Sequence, residues 1–259
     1  MLVKIPLLSF LIFGITYPLF LLLSAKDPIK HNFHRFQLGC PVVMAGLSII
    51  GLWFYPVPVA LTLKYTSLLW LAAFLLITAL NWNKQTVNPW GIAIVALWGL
   101  KVFADIYSQL ISPDALAIAI SILSGFIVAS IFYAMNLGHF YLNVHGLNIK
   151  HLKMATIAFA VLLTLRLVWN IFYISSGLVM QGGEEISLLH FMMSVDGFFL
   201  WVALFFGTIF PLGASYFAFG TLKLKNTQAT TGILYVLLSA VLLGDLAYKY
   251  YLLKYSIPM

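Results

Sequence analysis

A chain of 259 residues that is 63% hydrophobic and only 8% charged has too little polar surface for a water-soluble globule, and its apolar runs of about 20 residues match the thickness of a bilayer. The net charge of +7 comes from bases scattered over short polar breaks, which excludes the gathered basic face that nucleic-acid binding requires. A single cysteine, Cys40, excludes an intrachain disulfide, a covalently attached c-type haem and a Cys-ligated cluster.

These features predict an all-α fold: a polytopic membrane helical bundle of about eight transmembrane helices with a Pro-interrupted seventh, forming a single integral membrane domain over 1–259. The first span covers 5–24, and because Leu23 and Ala25 do not make a small-x-small cleavage pattern, it reads as an uncleaved span. The loop behind it holds His31-x-x-His34. Imidazole suits zinc or iron, but Asp27 is the only carboxylate nearby and no closed ligand signature is present, so histidines at a headgroup surface are expected and no metal site.

Span 2, 38–55, has Pro41 where a helix start tolerates proline, and Pro56 with Pro58 suits a tight turn into span 3, 59–80. Span 4, 89–110, carries Lys101, Asp105 and Gln109 at intervals of four, which puts them on one side of the helix. Such a side is ill-suited to lipid. The stripe reads as a structural pair or as part of a proton path.

Span 5, 115–142, repeats small residues at Ala117, Ser121, Gly125 and Ala129, a ridge that lets another helix approach closely. The ridge continues through Tyr133 and Asn136, with His139 at its edge as an interfacial histidine, a haem ligand or a proton carrier. Span 6, 152–176, contains Arg166, and span 7, 187–220, contains Asp196; neither has an opposite charge within helical reach. An Arg166–Asp196 bridge between the two helices is therefore expected, with Asp105 or Asp245 as competitors for the arginine. Pro211, followed by Gly213, predicts a kink near 207–213. Span 8, 228–252, ends in a second i,i+4 pair, Asp245 and Lys249.

Loops after spans 1, 3, 5 and 7 hold Lys26, Lys30, Arg35, Lys84, Lys150, Lys153, Lys223 and Lys225, against Lys4, Lys64, Lys249 and Lys254 on the opposite side. The positive-inside rule puts the richer set in the cytoplasm and both termini outside, in a prokaryotic cytoplasmic membrane. His139, His145 and His151 join His31 and His34 near that cytoplasmic side, leaving His190 near the other.

Motifs for phosphate loops, dinucleotide turns and serine nucleophile elbows do not occur in the chain. The leading functional expectation is an integral subunit of a respiratory electron-transfer complex, binding quinone or non-covalent haem and docking partner redox subunits. In it His139 and Arg166 would bind the cofactor, Arg166 and Asp196 would be catalytic, and Lys101, Asp105 and Asp245 would form a proton path. The eight-span layout is similar to that of polysulfide-reductase-type quinone anchors, an analogy of architecture alone. The alternative is a proton-coupled secondary transporter or channel, with a His-metal membrane enzyme behind both.

Overall fold

The computed structural model describes residues 3–26, 33–55, 59–144 and 148–259; the expectations for Asp27, His31, His145, Pro56 and Pro58 fall outside them. Among the described residues, eight helices are long and apolar enough to cross a membrane. The fold is all-α and polytopic, and the chain gathers into two compact units, Met1–Ile118 and Ala119–Met259.

The first unit is built from α1 (Lys4–Phe20), α2 (Phe33–Phe54), α3 (Leu61–Asn81) and α4 (Pro89–Leu110). Helix α1 packs on α2 and α4, and α3 packs on the same two, so the four close into a ring. Leu11, Ile12, Ile15 and Tyr17 of α1 are fully buried, as a helix apolar all round must be. Two glycines set its separation from its neighbours. A Cβ on Gly14 would stand 2.8 Å from the Ala45 Cβ, and one on Gly99 would stand 2.8 Å from Trp70 Nε1 and 2.9 Å from Ile15. The close approach at Gly99 accompanies a bond from Trp70 Nε1 to the Val95 carbonyl, 2.9 Å.

Pro41 does not start a helix. It lies inside α2, which begins at Phe33, because the polar residues ahead of it, His34, Arg35 and Gln37, find partners. His34 Nε2 lies 2.8 Å from the Gln85 carbonyl, Arg35 Nε donates to the Trp82 carbonyl at 3.0 Å, and Gln37 accepts from the Tyr17 hydroxyl.

The second unit takes in nearly all of α5 (Ala115–Asn143), then α6 (Lys150–Ser176), a hairpin of β1 (Leu178–Gln181) and β2 (Glu184–Ser187), and the short α7 (Leu188–Met192). After a turn come α8 (Phe199–Leu204), a π-helical turn over Phe205–Ile209, α9 (Phe210–Lys223) and α10 (Thr227–Tyr255). The hairpin pairs Leu178 with Ser187 and Gln181 with Glu184. Its two-residue turn needs positive φ at both positions, which Gly182 and Gly183 supply at 65° and 94°.

Span 7 therefore begins at Phe199, not at 187. The apolar run across 187–198 looks continuous in sequence, but Gly197 packs so closely on the Phe191 carbonyl that a Cβ there would collide with it, and its N–H bonds Ser194 Oγ at 3.2 Å. The chain turns at that point. The kink foreseen near 207–213 takes the form of the π-helical turn: Pro211 has no N–H to offer the Gly207 carbonyl, and the helix widens just ahead of it. The turn rests against α10 through Gly207 and Gly244, where a Cβ on Gly207 would lie 3.3 Å from the Gly244 Cα and one on Gly244 would strike the Gly207 backbone.

Candidate functional site

Buried polar side chains of the second unit converge where α5, α6, the π-helical turn and α10 meet. The small-residue ridge of α5 is buried. Ser124, one residue from its Gly125, turns its hydroxyl to the carboxylate of Asp245 on α10. Asp245 also receives a hydrogen bond from the Lys249 ammonium one helical turn away, and both residues are only 7% exposed. A charge pair so enclosed must be matched group by group, since each ion loses its hydration.

Arg166 of α6 faces the same place and is 2% exposed. Its guanidinium carbon lies 4.1 Å from the centroid of the Tyr248 ring, a cation–π contact, and one of its NH2 groups donates to the backbone oxygen of Met259. One turn along α6, Asn170 Nδ2 donates to Tyr248 Oη at 2.7 Å and to Thr208 Oγ1 at 3.3 Å, while the two hydroxyls lie 3.0 Å apart. Thr208 sits within the π-helical turn, so the irregular backbone places a hydroxyl on Tyr248. Two polar atoms of this cluster, Arg166 Nε and Asn170 Oδ1, are buried without a hydrogen-bond partner among the described residues.

A small cavity lies between the two halves of the cluster, lined by Ser124, Arg166, Gly207, Asp245 and Tyr248 together with apolar side chains. It is about the size of one water molecule. In the direction of Thr230 and Thr231, the buried residues of α10 are Leu234, Leu237, Leu238, Ala240 and Val241. From residue 231 to residue 245 that is about 21 Å of helix with an apolar inner face. The other end of the cluster adjoins Pro258 and Met259, where Trp169 Nε1 donates to the Pro258 carbonyl at 2.7 Å.

The remaining sequence candidates lie elsewhere. Asp196 is not the partner of Arg166: it is exposed in the turn between α7 and α8, with its carboxylate 3.4 Å from Gln181 Nε2 and its backbone oxygen accepting from Tyr251 Oη at 2.7 Å. The physical reason is the Gly197 turn, which takes Asp196 out of the span. His139 is exposed on α5, with Nδ1 3.3 Å from Tyr235 Oη. Lys101 and Asp105 form an ion pair at 2.7 Å with side chains 72% and 42% exposed, so they line no interior path in the first unit. Gln109 accepts from the Ala60 N–H at 2.9 Å.

Among the described residues no three His, Cys, Asp or Glu side chains gather as a metal site would need. Ser124, Asn170, Thr208 and Tyr248 were not singled out from sequence. Asn170 carried a usable signal, four residues beyond Arg166 and hence on the same face. Ser124 and Thr208 carried none, since each is a small polar residue in an apolar helix. No family model matches this chain, and neither a curated protein nor a solved structure matches it.

Proposed function

We propose that this chain is a proton-coupled secondary transporter of a prokaryotic cytoplasmic membrane, with Asp245 as the carboxylate that takes up and releases the proton. The observation that carries the reading is Asp245 itself: a buried carboxylate held by Ser124 and Lys249, beside Arg166 and a water-sized cavity. Ionisable groups in the interior of a membrane bundle mark ion and proton pathways by default. When Asp245 accepts a proton its bonds to Lys249 and Ser124 weaken, which gives the neighbouring helices a reason to rearrange.

Two further features favour transport over an open channel. The apolar inner face of α10 between Thr231 and Asp245 closes one approach to the site, and the π-helical turn beside the Gly207–Gly244 contact supplies a discontinuity in the helix facing it. The base count supports loops after spans 1, 3, 5 and 7 on the cytoplasmic side and both termini outside. The electron-transfer reading, with quinone or non-covalent haem and partner redox subunits, rests on span layout and composition. It takes second place because the space beside Arg166 suits a water and not a ring.

The test is chemical. A hydrophobic carbodiimide couples to protonated carboxyl groups inside membranes, and mass spectrometry reads the adduct. In proteoliposomes, Asp245 is expected to be labelled increasingly as pH falls, with the adduct absent from Asp245→Asn. If the folded protein gives no Asp245 adduct from the acid end to the neutral end, the carboxylate does not take up a proton and the reading is overturned.

A further inference from the structure

After α10 the chain folds back into the second unit. Ser256 takes a left-handed conformation, φ 55° and ψ 37°, and ends the helix there. Ile257 and Met259 are then 1% and 2% exposed, in the apolar cluster that includes Phe191, Leu200, Leu204 and Tyr248. Two side chains of α6 hold oxygens of the segment: Trp169 Nε1 bonds the Pro258 carbonyl, and Arg166 bonds the oxygen of Met259. The backbone N–H groups of Ser256 and Ile257 both turn to the Tyr251 carbonyl at the end of α10. Few bonds therefore oppose local opening of these four residues. Arg166 is also matched differently from the other buried cation of the cluster. Lys249 has a carboxylate, Asp245. Arg166 has the face of Tyr248 and one backbone oxygen, and among the described residues no Asp or Glu side chain is bonded to it. Its Nε–H is buried with no hydrogen-bond partner. A guanidinium carries five donors in a planar fork that fits the two oxygens of a carboxylate, and what sits on this fork is a single oxygen attached to an apolar body.

We propose that Arg166 is the seat of a substrate with one carboxylate and an apolar body, and that Ser256–Met259 occupies this seat while the substrate is absent. The inference rests on the transport reading of the same cluster. The segment is the template for the substrate. A carboxylate takes the place of the Met259 oxygen and adds a bond to the unpartnered Nε–H, and the hydrocarbon takes the volume of the Ile257 and Met259 side chains. One negative charge is the match, because Lys249 is already paired with Asp245. A neutral amide brings no charge to the guanidinium, and a dicarboxylate carries a second, unmatched charge into apolar walls. The water-sized cavity beside Arg166 is the space that remains with the segment seated.

The experiment uses the full chain with Cys40→Ala in nanodiscs at fixed pH, with hexanoate as the probe and hexanamide and succinate as controls. Ile257→Cys is expected to react slowly with a maleimide, and on the order of tenfold faster in saturating hexanoate, while hexanamide and succinate leave it slow. Ala155→Cys, fully buried elsewhere on α6, is expected to stay slow throughout. Ile257→Ala loosens the seated segment and is expected to bind radiolabelled hexanoate on the order of tenfold more tightly; Arg166→Gln is expected to abolish binding. Should Arg166→Gln fail to fold by circular dichroism, the contrast of acid with amide at Ile257→Cys decides alone. Overturning results are no acceleration by hexanoate, equal acceleration by hexanamide or at Ala155→Cys, or an affinity that Ile257→Ala leaves unchanged. An Asp245 carbodiimide adduct without a hexanoate effect strikes this inference and leaves the proton reading standing; hexanoate binding without the adduct does the reverse.

Discussion

The buried ion pair and the exposed one consist of the same two residue types at the same spacing, and their surroundings separate them. Lys249 and Asp245 are enclosed, and Ser124 completes the carboxylate; Lys101 and Asp105 stand on a helix surface. Removing one partner of an enclosed pair strands the other charge, at a cost of about 3–5 kcal/mol. Lys249→Met is therefore expected to destabilise the protein by about 3 kcal/mol, and the double change Lys249→Met with Asp245→Asn to recover part of that loss. Unfolding in micelles, followed by circular dichroism, measures both. Strict additivity of the two single changes would show that Asp245 and Lys249 are not energetically coupled.

Helices of this chain approach one another through glycine where a side chain would hold them apart, and the consequence differs sharply between positions. Gly244 meets the backbone of Gly207, whereas Gly232 has nothing within 4 Å of the place a Cβ would take. Both lie in the interior of α10, so intrinsic helix propensity favours alanine equally at each, by roughly 0.5–1 kcal/mol. Gly244→Ala is expected to lose stability by about 1–3 kcal/mol, because the π-helical turn must be pushed off α10. Gly232→Ala is expected to be neutral or to gain up to about 1 kcal/mol. Paired thermal unfolding of the two variants decides this; equal effects would mean that the Gly207–Gly244 contact does not set the spacing of the helices.

At the scale of the whole molecule, eight crossings and a biased set of loop bases fix which loops share a side of the membrane. Asn226 caps the start of α10, its Oδ1 accepting from the Ala229 N–H at 3.0 Å, and Gly182 is at the tip of the β1–β2 hairpin. The two belong to opposite ends of the helices that join them. In intact cells, with Cys40→Ala as background, a cysteine at Gly182 is expected to react with an impermeant maleimide and a cysteine at Asn226 to be protected until the membrane is permeabilised. The reverse pattern would invert the orientation and leave the fold unchanged.

Composition and periodicity alone determined the number of spans, the approximate limits of most of them and an irregularity near Pro211, because a bilayer imposes length and apolarity on every crossing and proline withdraws a backbone donor wherever it falls. They also picked out Arg166 and Asp196 as residues needing partners from elsewhere, and Asp245 with Lys249 as a pair. They could not choose the partners of Arg166. Hydropathy ran straight through 187–198 and kept Asp196 in a helix, since a turn held by one buried glycine against a carbonyl leaves no mark in an apolar run. The packing of α5, α6 and α10 brought Ser124 to Asp245 and Tyr248 to Arg166 across more than 80 residues of sequence. An i,i+4 ion pair is written in the sequence, but the groups that complete a buried charge depend on distances between helices, and those are set by side-chain packing in three dimensions.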